Sequence, residues 1–293
     1  MRRKTRITLC CFLWATLLFA SASSSHAQLR TVEDYGRAVR NGTGATYFDL
    51  LRKIFPDAEM GAASSQEATG HLTMPLNHLD GEYRNRVYRA ALKINAIESL
   101  FLQTGGGRQL LLLVHAQGDD AELTWGELGI LALFELEPQV RLLDAADIKA
   151  DRFSSFWEEQ PLLHIGPQAD AVMIANYHHN SSQGYLSLTL VSTQANRLRT
   201  IFELPTLLNL NYCGNNSTQT PSLAVLKSLR GGHFDISLKI RLVKKADDES
   251  CAKATGAYKR EFKTVLVWSR TKRKYQSTGR ALTVLAALNE RNF

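Results

Sequence analysis

The 293-residue chain is sparing with the residues that carry most recognisable chemistry: it has 4 cysteines, 4 methionines and 7 prolines. No Cys-x-x-Cys pair is present, which excludes the common zinc and thiol-redox spacings. There is no His-Glu-x-x-His, no Gly-x-Ser-x-Gly elbow and no phosphate loop ending in Lys-Ser/Thr, so Gly105-Gly106-Gly107-Arg108 reads as a turn. Calcium loops set acidic oxygens at alternate positions around a glycine, and neither Asp119-Asp120 nor Asp144, Asp147 and Asp151 does so. After residue 27 no apolar run approaches the ~20 residues that a membrane helix needs. What is there, 44% apolar, 22% charged and 9% aromatic residues, is a globular composition, not a collagen-like, disordered or coiled-coil one.

The start of the chain carries an address. Arg2, Arg3, Lys4 and Arg6 precede an apolar stretch from Ile7 to Ala20, which is followed by small residues and Ser25-His26-Ala27. That order is the pattern of a secretory signal peptide, with cleavage expected after Ala27 and a periplasmic or secreted destination. Cys10 and Cys11 leave with it. No membrane span is expected after its removal.

Cleavage alters the charge balance, because four of the 35 Lys and Arg lie in the signal and none of the 28 acids does, leaving a net of +3. Nucleic acid is therefore not an expected partner. The remaining charge is polarised: residues 28–226 hold 15 basic against 22 acidic side chains, and residues 227–293 hold 16 against 6. In an oxidising compartment the remaining Cys213 and Cys251 are expected as a disulfide, worth roughly 3–4 kcal/mol for a loop of this size.

Between Thr31 and Phe55 the apolar residues Val32, Tyr35, Val39, Tyr47, Leu50, Leu51 and Ile54 recur at helical spacing, with a break at Asn41-Gly42 and a stop at Pro56. Two short helices are predicted. Residues 57–70 are small and polar and read as a linker or exposed loop, which divides a helical segment (28–70) from a β domain (71–293). Beyond Tyr83 the period becomes alternating. Strands are predicted over 93–102, 108–115, 126–136, 140–146, 162–165, 171–177, 185–192, 198–204, 234–243 and 258–270, with a return near Tyr275. Ile236, Leu238, Ile240 and Leu242 alternate with Ser237, Lys239 and Arg241, the pattern of a strand with one wet face.

The fold class is thus mostly β (α+β), built of antiparallel four-strand meanders with N-terminal helices. Similar strands begin near 109, 170 and 234, which fits propeller-like repeats; packed sheets and an unrepeated α+β sheet fit as well.

Two surfaces are candidates for binding. Lys259, Arg260, Lys263, Arg270, Lys272, Arg273 and Lys274 cluster on a predicted hairpin with Tyr258, Trp268 and Tyr275 among them, and suit an anionic glycan, a lipid head group or an acidic protein. Edge-strand lysines that discourage aggregation are the competing account. The second candidate is the loop of His178, His179 and Asn180, whose histidines alternate to opposite faces if the strand continues. Asn180-Ser181-Ser182, Asn215-Asn216-Ser217 and Asn216-Ser217-Thr218 are formal glycosylation acceptors. His71 and His78, with Asp80 and Glu82 beyond, lack a metal-binding geometry in sequence, and neither metal nor cofactor is expected.

The residues point first to an exported soluble binding or interaction protein that contacts anionic envelope components. The alternative is an envelope hydrolase of glycan or ester bonds using carboxylates such as Glu127, Glu135, Glu158 or Glu159 in a cleft.

Overall fold

A computed structural model describes residues 29–39, 44–79, 87–104, 107–118, 127–148, 153–167, 169–212, 215–246 and 256–290. The chain is mostly β, arranged as two large sheets with one helix near each end. The first sheet holds β1 (Leu29–Thr31), β2 (Glu59–Met60), β3 (Ala68–Gly70), β4 (Asn77–His78), β5 (Leu92–Thr104), β6 (Gly107–Gln117), β7 (Glu127–Glu135) and β8 (Arg141–Asp147). Its order is β2-β3-β5-β6-β7-β8-β4, with β1 also on β5. Among the described residues only the β4–β8 pair in it is parallel.

The second sheet holds β9 (Phe153–Phe156), β10 (Leu162–Gly166), β11 (Ala169–His179), β12 (Gln183–Ser192), β13 (Arg199–Tyr212), β14 (Asn215–Arg230), β15 (His233–Lys244), β16 (Tyr258–Ser269) and β17 (Lys274–Ser277). From β10 to β17 each strand pairs with the next, while β9 pairs with β11 beyond β10. The helices are α1 (Tyr47–Ile54) and α2 (Ala281–Glu290). Among the described residues no helix is long and apolar enough to cross a membrane.

Continuous apolar runs explain the layering. Every residue from Leu128 to Phe134 in β7 is buried, so both faces of this strand are covered. Leu110, Leu112, Val114, Ile130, Ala132 and Phe134 point to one side, where they meet Leu50, Leu51 and Ile54 of α1. Leu111, Leu113, Leu131 and Leu133 point to the other, where they meet Phe156, Val172, Ile174 and Val191 of the second sheet and Leu198 just before β13. The two sheets therefore share a core. Polar ties join them at its rim: the Leu198 amide donates to Asp144 at 2.8 Å, the Phe156 amide to Glu98 at 3.0 Å and the Gln109 amide group to Asn196 at 2.9 Å.

The second sheet curls over itself. Ala171, Met173, Leu186, Leu188 and Leu190 of β11 and β12 pack with Ile236, Leu238, Ile240, Leu242, Phe262 and Leu266 of β15 and β16, and β10 touches β15. Leu285 of α2, 2% exposed, joins this core. The other face of β15 and β16 is left to solvent.

The architecture is one of packed sheets of eight and nine strands, and four-strand blades do not appear among the described residues. The N-terminal reading changes in part. The second predicted helix is α1, capped by Thr46, whose hydroxyl accepts the Asp49 amide while Asp49 accepts the Thr46 amide at 2.7 Å. The Asp49 carboxyl is held below the usual range by these bonds to Thr46. The first predicted helix is instead a turn-rich segment: Asp34 accepts the Gly36 amide at 2.8 Å, and Tyr35 donates its amide to Ser65. That local side-chain bond competes with a helix, although Val32, Tyr35 and Val39 are buried as the spacing implied. Residues 57–70, read as a linker or loop, carry β2 and β3 and reach β5 through β3.

Candidate functional site

All seven basic candidates are exposed, but β16 spreads them over its length. Lys259, Arg260 and Lys263 lie in its first half, and Arg270, Lys272, Arg273 and Lys274 occupy the β16–β17 turn and the start of β17. From Lys263 to Arg270 is roughly 23 Å along an extended strand. They form two clusters.

At the first cluster the register adds residues that the sequence reading did not place. Lys263 stands opposite Lys239, Glu261 opposite Arg241, and Lys259 opposite Val243. Directly opposed residues of an antiparallel pair share a face, so Lys239, Arg241, Lys259 and Lys263 surround Glu261 on the outer side of the sheet. Their attachment points are ~5 Å apart across strands and ~7 Å apart along them. β14 continues the face with the uncharged Ser222 and Thr220, opposite Lys239 and Arg241. Glu261 meets the Lys263 ammonium at 2.7 Å, and its carboxyl is held below the usual range first by Lys263 and then by Lys239 and Arg241. Arg260 points to the inner side, its guanidinium 4.7 Å from the centre of the Phe262 ring. The alternation of Lys239 and Arg241 with buried Leu238 and Ile240 was the available sequence signal. Only the pairing shows that β16 brings more cations to the same face.

The second cluster borders an aromatic group. His233, buried, stacks on Trp268 with ring centres 3.9 Å apart, and Tyr275 meets Trp268 edge-on at 5.3 Å. Gln194 lies 3.0 Å from His233 Nε2. Burial lowers the His233 pKa from its ordinary value, and the Gly231 carbonyl near Nδ1 offsets part of this. Arg270 lies over Gly231, whose φ of +62° is the left-handed region that favours glycine; an added Cβ would stand 2.8 Å from the guanidine nitrogen. Tyr275 donates its hydroxyl to the Phe234 carbonyl at 2.7 Å, which fixes β17 against β15.

At the loop candidate, His178 leans on Tyr185 with ring centres 6.0 Å apart, whereas His179 lies exposed over Gly184. The two rings take opposite faces. Asn180 closes the hairpin, its side-chain oxygen accepting the amides of Ser182 and Gln183.

The remaining polar candidates are dispersed. His71 is paired with Asp57 at 2.7 Å, while His78 is buried with Nδ1 3.0 Å from the Asp147 carbonyl. Among the described residues no group of three or more metal-ligating side chains converges. Glu127 accepts from Gln117 at 2.9 Å and Glu135 pairs with Arg141 at 2.8 Å. Glu158 and Glu159 stand near Tyr177, whose pKa is raised first by burial and then by these two charges. Cys213, Cys251, Asp80, Glu82, Asp119, Asp120 and Asp151, with the first 28 residues, lie outside the described residues. No protein-family model matches the chain, and no curated protein or solved structure is significantly similar to it.

Proposed function

We propose that the chain is an exported binding protein of the cell envelope, periplasmic or secreted, which contacts anionic lipid head groups through the outer face of β15 and β16. One observation carries this reading. Lys239 and Arg241 lie on β15, which is paired on both sides, by β14 and by β16. Protection of an open strand edge accounts for Lys259 and Lys263, because β17 pairs only with residues 266–269 of β16. It does not account for two more cations on an interior strand that face the same way. The exposed, uncharged Thr220 and Ser222 beside them widen a sheet face that suits a flat layer of charges.

Each Lys or Arg near an anionic membrane surface contributes about 1 kcal/mol, so four cations give an attraction of at most about 4 kcal/mol, a factor of ~10³ in partition at low salt. Such binding is reversible and screened within a Debye length of ~8 Å at physiological salt. The test is co-sedimentation of the mature chain with phosphatidylglycerol vesicles and with phosphatidylcholine vesicles over a salt series. Binding to the first alone, lost as salt rises, supports the reading. Equal binding to both, or none to either, overturns it, and selective retention on an acidic glycan in place of vesicles assigns the face to a different partner.

A further inference from the structure

A cavity of about 120 Å³ lies between the two sheets, beside the apolar layer that joins them. Its second-sheet wall is built by register. Ser154 of β9 pairs with Asn176 of β11, and Asn176 with Ser187 of β12, so one rung of the ladder presents three polar side chains to the same side. The neighbouring rung brings Ile174, Thr189 and Glu203. Thr200 completes this wall, and His78, Leu79 and Ile148 form the wall from the first sheet. The face that is apolar at Val172 and Val191 thus turns polar where the cavity lies.

The decisive group is Ser154. It is 4% exposed, it lines the cavity, and its hydroxyl has no hydrogen-bond partner within the protein. Leaving a buried hydroxyl unpaired is costly, and a guest carrying its own donor and acceptor removes that cost. The lining also defines the guest. It contains no Lys or Arg and includes the Glu203 carboxylate, which already accepts the Ser187 hydroxyl at 3.1 Å, so an anion is repelled. Hydroxyl and amide groups alternate with the aliphatic faces of Leu79, Ile148 and Ile174, a surface matched by a molecule with hydroxyls on a short carbon chain. An apolar cavity of ~150 Å³ admits benzene, which has six heavy atoms, so this smaller volume suits a guest of at most about six.

We propose that the intersheet cavity is a binding site for a small uncharged polyol of three carbons, held by the Ser154 hydroxyl and by Thr189. This site is separate from the basic face and does not depend on it.

The test is saturation-transfer NMR of glycerol with the full mature chain, compared with Ser154→Ala and Thr189→Val. The intact protein transfers saturation to glycerol, and each variant reduces the effect at least fivefold. Ser154→Ala keeps or raises the unfolding temperature, since the unpaired hydroxyl is gone, which separates lost binding from lost folding. Absence of transfer, or undiminished transfer in both variants, overturns the proposal. So does displacement of glycerol by propylammonium at low concentration, which marks a cation site, or stoichiometric labelling of Ser154 by a fluorophosphonate, which marks a nucleophile.

Discussion

Lys239 and Lys263 stand directly opposite each other across the β15–β16 ladder, on the solvent face of the sheet. Like charges so placed are destabilising, and the side chain that relieves them is Glu261, 2.7 Å from the Lys263 ammonium. The arrangement is a basic face with one internal counter-charge. Glu261→Gln removes that counter-charge and is expected to raise the salt concentration needed to release the protein from phosphatidylglycerol vesicles. An unchanged or lower release point would show that the face is not the contact.

The sheets are joined by an apolar layer, and Leu113, fully buried there, is a direct probe of it. Truncating a buried leucine costs about 2–5 kcal/mol. Leu113→Ala is expected to lower thermal stability by that amount while both sheets still unfold in one transition, followed by circular dichroism and Trp fluorescence together. Two separate transitions with only one displaced would contradict a shared core.

His233 supplies a pH dependence whose sign follows from its burial. Its folded pKa lies below the unfolded value of about 6.5, so the unfolded chain binds the proton more readily. Its contribution to stability is full above about pH 6.5 and is lost as pH falls through the lowered folded value. Denaturant unfolding over this range is expected to show a loss on acidification that His233→Gln diminishes, with a matching change in Trp268 emission because the rings are stacked. A His233→Gln profile parallel to that of the intact protein would remove this assignment.

Much of the fold was legible because its strands are long and patterned. The 93–102 and 108–115 predictions fall within β5 and β6, and their ladder extends to Thr104 and Gly107, as the glycine turn implied. β14 was not anticipated, because Asn215 to Arg230 begins with a polar run and includes Pro221, features that argue against a strand. Its partners β13 and β15 provide the pairing that its composition does not advertise. α2 was also missed, although Leu282, Leu285 and Leu288 follow helical spacing after Gly279. The basic face was half legible: alternation placed Lys239 and Arg241 in solvent, but the register that joins them to Lys259 and Lys263 is a tertiary fact. Ser154, Asn176 and Ser187 could not be grouped from sequence, since they come together only through two ladders.

The outer face of β15 and β16 is the proposed contact surface, and charge reversal at two sites on it is the most direct test. Lys239→Glu/Arg241→Glu should be compared with Lys272→Glu/Lys274→Glu, which makes the same change in net charge at the far end of β16, by vesicle co-sedimentation over a salt series. The first pair is expected to abolish binding to phosphatidylglycerol and the second to reduce it only modestly. Equal losses would show attraction to net charge without a defined face, and a loss confined to the second pair would place the contact at the β16–β17 turn.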